Sequence, residues 1–212
     1  MKRLKDEYKK DRKIVAEKAK ELTREIKENR KEVRDERKDY QKERKPWVYY
    51  VGTADVSGVN KIVQDFNAEH QALVKTYTDK IKNGTGSTGD IQNILNAWKT
   101  ATLDLVTRKW AAIRPFVDAD KLSAFESLLA ARKALIEEAF AARSENVALR
   151  QERKTLRASL MVKNAEKLWN KAKKGSDSMK KRFTKNMERL TSQIDKILAK
   201  SNVKAEDRTM WE

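Results

Sequence analysis

The chain has 212 residues with no Cys, one His, six Gly and two Pro, 39% hydrophobic residues and a formal net charge of +17. The missing Cys exclude a disulfide scaffold, a thiolate zinc site and a cysteine nucleophile, and the scarcity of Gly and Pro excludes collagen-like and Gly-rich low-complexity classes. No apolar run approaches the ~18–20 residues of a membrane span, and the charged N-terminus lacks the apolar region of a secretory leader, so no targeting segment is expected.

The first 45 residues contain neither Gly nor Pro and end at Pro46. Wound at about 100° per residue, as an α-helix requires, they sort into three stripes. Val15, Ala19, Leu22, Ile26, Val33 and Tyr40 make a narrow apolar seam. Glu17, Glu21, Glu25, Glu28, Glu32, Glu36, Asp39 and Glu43 form an acidic flank. Lys20, Arg24, Lys27, Lys31, Arg34, Lys38, Lys42 and Lys45 take the remaining side and the back. Arg12, Asn29, Glu36 and Glu43 interrupt the seam where a coiled coil wants apolar residues. The segment is therefore expected to be a helical arm that is stable mainly when laid against something. Its alternative is a solvated single helix or weak coiled coil.

Pro46 stops that helix because its ring and missing N–H break the ladder. Residues 46–56 read as an extended aromatic linker, with Trp47, Tyr49 and Tyr50 available to pin it to the bundle, stack on bases or meet a neighbour. Ser57 is a candidate N-cap for a helix to about Asn83. Its apolar face is Val59, Ile62, Val63, Phe66, His70, Leu73, Val74, Tyr77 and Ile81. Residues 83–89 read as a flexible loop. Its Gly-x-Gly has no preceding strand and no Lys-Ser/Thr, so it is no phosphate loop.

Asp90 is expected to cap the next helix, which runs to about Ile113 and is closed by Pro115, with Arg114 biased out of helix. Asp118 or Asp120 then starts a long segment, Leu122 to about Lys174, without Gly or Pro. It is either one helix or two with a break near residues 144–146. Its first half is apolar and its second half basic. Gly175 suits the position after a helix end. Asp177 or Ser176 opens the last helix, with Met179, Phe183, Met187, Leu190, Ile194, Ile197 and Leu198 as its stripe. The expected architecture is all-α: a long basic N-terminal helical arm (1–45), the linker (46–56), a four-helix bundle with one very long helix (57–203) and a polar tail (204–212).

Charge is concentrated in two places. Lys2 to Lys45 holds nineteen basic and twelve acidic residues, and residues 148–190 hold fourteen and four. Residues 46–147 are neutral, with twelve of each. Two basic blocks around a neutral middle suggest a polyanionic partner, although interspersed charge also serves solubility. The candidate nucleic-acid contacts are Lys20, Arg24, Lys27, Lys31, Arg34 and Lys38 on the arm. On the long helix they are Arg150, Arg153, Lys154, Arg157, Lys167 and Lys171. Candidate assembly contacts are Glu21, Glu25, Glu28, Glu32, Trp47, Tyr49 and Tyr50. The arm and the basic half of the long helix are expected to act as two jaws of one binding surface.

Catalytic signatures are absent. Gly-x-Ser-x-Gly, Glu-x-x-His and His-Glu-x-x-His do not occur, and His70 on an apolar face reads as structural. No enzyme activity, metal or cofactor is expected. A duplex presents one charge per ~1.7 Å of axis, and no base-reading motif is visible, so contacts to backbone and shape are expected.

The layout of Lys2 to Lys200, a basic helical arm joined by a short linker to a helix bundle, resembles the major coat proteins of filamentous archaeal viruses of the rudivirus and lipothrixvirus type. The resemblance is one of architecture and transfers no functional residue. It implies a virion protein whose N-terminal helices wrap double-stranded DNA, as a homo-oligomer or with a related subunit. DNA is expected over RNA, and a membrane partner is not expected because the acidic stripe would be repelled by anionic lipid. The alternative is a cytoplasmic scaffold that self-assembles through the charged arm without nucleic acid.

Overall fold

The computed structural model describes residues 2–52, 56–83, 87–172 and 177–199. Among them there is no strand. The helices are α1 (Lys2–Glu43), α2 (Val48–Val51), α3 (Val56–Asn83), α4 (Thr88–Ile113), α5 (Leu122–Ala172) and α6 (Asp177–Ala199), with 3-10 turns at Arg114–Phe116 and Ala119–Lys121. The all-α architecture with a long N-terminal helix and one very long helix is thus the fold. The tail at 204–212, Gly175 and Ser176, and the side chains of Met179, Phe183, Ile194, Ile197 and Leu198 lie outside the described residues.

α5 organises the molecule. Its 51 residues run unbroken, about 76 Å at 1.5 Å per residue, so no break occurs near Ser144. α1, α4 and α6 all pack along it, and α3 packs on α4. The N-terminal half of α5 supplies Phe125, Leu128, Ile136, Phe140 and Val147 to the main core, where they meet Val59, Ile81, Ile91, Leu95, Trp98, Val106 and Ile113. Tyr77 stacks on Trp98 with parallel rings at 5.9 Å, and Trp98 meets the Phe140 edge at 5.6 Å. α6 borders the C-terminal half through Met187 and Leu190, which face Val162, Ala165 and Trp169.

The arm does not stand off the bundle. α1 lies antiparallel along α5, with contacts from Asp11 to Lys167, Thr23 to Arg153, Asn29 to Asn146 and Trp47 to Phe125. The apolar seam supplies the reason: Ala19, Leu22, Ile26 and Val33 are buried in this contact. The residue that breaks the seam at Asn29 meets a polar rung rather than an apolar hole. Its amide donates to Glu145 Oε2 at 2.8 Å and lies 3.5 Å from Asn146 Oδ1. The two expected jaws are therefore shut on each other.

The aromatic linker is compact, not extended. Trp47 leads into the single turn α2, with Tyr50 N–H donating to Trp47 O at 2.8 Å. Trp47, Tyr50 and Val51 are buried, and the two rings pack with Trp110 and Phe125 at 6.0 to 6.4 Å. Burial of three apolar side chains outweighs the extended preference of a β-branched, aromatic run. Gly52 at φ 67° ends the turn in a conformation that L side chains rarely adopt. The Asp118 N–H donates to Tyr50 O at 2.9 Å and ties α2 to the α4–α5 connection.

Several helix ends differ from expectation by a residue or more. α3 begins at Val56, so Ser57 lies inside its first turn rather than capping it. Ser87, not Asp90, is the N-cap of α4: its hydroxyl accepts from the Asp90 N–H at 3.1 Å. Asp90 instead sits in the first turn, where a carboxylate faces the positive end of the helix dipole. Arg114 keeps helical dihedrals and donates its N–H to Trp110 O, so Pro115 ends α4 through a 3-10 turn rather than by expelling its predecessor.

Candidate nucleic-acid interface

Because the seam of α1 is fixed on α5, the opposite face of α1 is fixed outward. Lys20, Arg24, Lys27, Lys31, Arg34 and Lys38 lie on that side or its margins, away from the seam. With Lys9, Lys13, Lys42 and Lys45 they form a ridge about 54 Å long with a cation roughly every 6 Å. Ion pairs on this ridge are local: Lys13 with Glu17 at 4.0 Å, Arg24 with Glu28 at 3.5 Å, Lys38 with Asp35 at 3.4 Å and Lys42 with Asp39 at 2.8 Å. Such exposed pairs contribute ~0–1 kcal/mol, so a polyanion can displace them. Among the described residues Lys20, Lys27, Lys31 and Arg34 form no ion pair.

The cations of α5 are arranged differently. Arg150 is buried, 4% exposed, on the inner side of the helix. Arg153 Nη1 donates to Thr23 Oγ1 at 3.0 Å, and Thr23 in turn donates to Ala19 O at 2.7 Å. Burial, with Arg157 and Arg150 nearby, pulls the Arg153 guanidinium below its usual pKa. Lys167 donates to Asp11 at 3.2 Å. Lys154 is half-buried, Arg157 is exposed, and the Lys171 side chain lies outside the described residues. Thus Arg150 is buried and Arg153 and Lys167 are half-buried in contacts with α1, unlike the exposed surface contacts expected of them. The basic composition of 148–190 reaches the surface instead at Arg157 and Lys163 on α5 and at Lys180, Lys181, Arg182, Lys185 and Arg189 on α6.

Of the assembly candidates, Glu21, Glu28 and Glu32 lie toward solvent and Glu25 is half-buried. Glu138 of α5 lies beside this acidic flank and, after burial itself, is the main cause of a raised pKa at Glu36. Lys18 bridges to Glu152 at 3.5 Å on the same side. Tyr49 is 42% exposed and has Lys121 over its ring at 5.3 Å. Trp47 and Tyr50 are spent inside the chain and cannot serve a neighbour.

One group of cations has no counterpart in the sequence pattern. Arg37, Arg44, Lys109 and Arg132, from α1, the turn after it, α4 and α5, line a cleft between the C-terminal end of α1 and α3. No local motif marks it, since separate helices contribute. The available signal was Arg37 and Arg44, seven residues apart on the margin of the seam beside Tyr40. His70 opens onto the same cleft. Burial, then Arg132, Lys109 and Arg37, lower its pKa and favour the neutral imidazole.

Among the described residues no three His, Cys, Asp or Glu side chains are placed to hold a metal ion. No described helix is long and apolar enough to cross a membrane. No protein-family model, no curated protein and no solved structure matches this chain.

Proposed function

We propose that this chain is a non-enzymatic structural protein that coats double-stranded DNA through its phosphate backbone, without sequence preference, as the major coat subunit of a filamentous virion. The observation that carries the reading is the outward ridge of α1. It is long, solvent-facing and held only by local ion pairs, and its rigid backing by α5 removes the entropic cost of ordering a free arm. A duplex carries one charge per ~1.7 Å while the ridge offers one per ~6 Å, so a single helix neutralises somewhat over a quarter of the charge it passes. Full neutralisation needs several subunits side by side, which is what coating means.

The acidic flank supports lateral assembly. It lies beside the ridge on the same helix, so the ridge of one subunit can meet both duplex and the flank of the next. A scaffold that assembles by this complementarity alone is the second reading, favoured by the solvent-facing Glu21, Glu28 and Glu32. Native material decides between them. Electron microscopy, the absorbance ratio and nuclease treatment of the purified particles should reveal regular filaments holding nuclease-protected DNA. Oligomers that lack nucleic acid and survive nuclease would overturn DNA coating and leave the scaffold.

A further inference from the structure

We propose that the cleft between the C-terminal end of α1 and α3 is a binding site for a small phosphate-bearing anion of the di- or triphosphate class. The cleft has a volume of about 780 Å³, within the roughly 300–1,000 Å³ of small-molecule sites. Arg37 near the end of α1, Arg44 just after it, Lys109 on α4 and Arg132 on α5 converge on it.

Among the described residues, Arg44, Lys109 and Arg132 form no ion pair. Each lies over a ring instead: Arg44 over Trp47 at 5.3 Å, Lys109 over Trp110 at 6.0 Å and Arg132 over Tyr40 at 5.7 Å. The carboxylate that lines the cleft, Asp79, is bridged to Lys82 at 3.3 Å. Buried or half-buried cations are ordinarily matched by anions because desolvation and mutual repulsion are otherwise uncompensated. Here the strongest charges that Lys109 meets are Arg44 and Arg132, and those that lower Arg132 are Arg37 and Arg44.

A second observation points the same way. Trp110 lines the cleft, is 6% exposed, and its indole Nε1 is buried with no hydrogen-bond partner among the described residues. A buried donor without an acceptor, beside Arg44, Lys109 and Arg132, which no described carboxylate pairs, fits an oxyanion as ligand. Multiple charge is required because one monoanion leaves most of the repulsion in place. Guanidinium groups suit phosphate oxygens by bidentate geometry. The recess separates this site from the duplex reading: the ridge is convex and exposed, whereas these cations sit between helices.

The test is thermal melting of the full chain at fixed NaCl while sodium tripolyphosphate is titrated, with NaCl at matched ionic strength as control. A saturable rise of about 5 °C is expected. Lys109→Met should melt higher than the parent without tripolyphosphate, because one repelling charge is gone, and should lose at least half of the rise. Arg44→Gln, on the open rim, should lose a similar share without touching the core. Lys61→Met, exposed on α3, should keep the full rise, as should neutralisation of Lys20, Lys27, Lys31 and Arg34 on the ridge. ATP in place of tripolyphosphate gives the same rise if the phosphates alone bind, and a larger one if Phe66 or Trp110 also receives a ring; either supports the site. The proposal is overturned if no saturable rise occurs, if NaCl reproduces it, if Lys109→Met and Arg44→Gln both keep it, or if an oligonucleotide gives it and tripolyphosphate does not.

Discussion

The two halves of α5 are one helix in two different physical settings. From Phe125 to Val147 it is the wall of a core built from Trp, Tyr, Val, Ile and Leu on α2, α3 and α4. Beyond that its buried apolar positions shrink to Ala158 and Ala165, and its links to α1 become single polar rungs such as Arg153–Thr23 and Lys167–Asp11. The neutral stretch of sequence coincides with the first half and the basic block with the second. One end of the rod supplies stability, and the other end, with the outer face of α1, supplies charge. A long helix can join them because burial at one end holds the helix in register at the other.

The largest expected effect of breaking this division is at the core end. Phe125, 1% exposed among Trp47, Tyr50 and Trp110, should cost about 3–5 kcal/mol on replacement by Ala. Chemical denaturation should show the loss as a lower midpoint at nearly unchanged slope. Ile26→Ala, in the thin seam between α1 and α5, should cost about 2–3 kcal/mol. Hydrogen exchange should then quicken along the N-terminal part of α1 while α4 stays protected, since the seam is not part of the main core.

The cleft gives the stability of the fold a pH dependence. Lys109 is brought down from 10.5 to about 8 by burial and by Arg44 and Arg132. Its other charged or titratable neighbours in the cleft are Arg37 and Tyr40 on α1 and His70, Lys75, Asp79 and Lys82 on α3. With the folded pKa depressed, the unfolded chain binds more protons between pH 8 and 10.5, so this group makes stability rise across that window. Below pH 8 the penalty is fully present. Lys109→Met should flatten this limb of the stability–pH profile measured by denaturant titration. The smallest effect is at the acidic flank. Glu36 has a pKa raised by burial and by Glu138, so it disfavours the folded state as pH rises above the ordinary carboxylate value. Glu36→Gln should stabilise the chain at pH 7 by no more than about 0.5 kcal/mol, because the carboxyl is only partly buried and solvent screens its neighbours.

Much of the fold was legible because helical periodicity is a local signal. The seam at Val15, Ala19, Leu22, Ile26, Val33 and Tyr40 marks the inner face of α1, and Pro46 and Pro115 mark real ends. What the seam lies against was not legible, since its partner is more than a hundred residues away on α5. For the same reason Arg150, Arg153 and Lys167 looked like surface charge: a basic residue reads alike whether it faces water or clamps Thr23 or Asp11. The aromatic run at Trp47–Tyr50 misled in the opposite direction, because β-like composition describes a half-buried surface and the surrounding core folds it into a turn. Of the cleft cations only Arg37 and Arg44 are near one another in sequence; Lys109 and Arg132 come from α4 and α5, so the cluster is not a local signal.

On the proposed function the outer face of α1, and not the half-buried cations of α5, meets the duplex. The most direct test is the salt dependence of binding to a double-stranded DNA of arbitrary sequence, comparing the parent chain with one carrying Lys20→Gln, Lys27→Gln, Lys31→Gln and Arg34→Gln. A steep linear fall of log affinity with log salt is expected in the parent. In the variant the slope should be shallower by about 3–4, near 0.9 for each phosphate that is no longer neutralised. An unchanged slope, or binding by the parent that ignores salt, would contradict it.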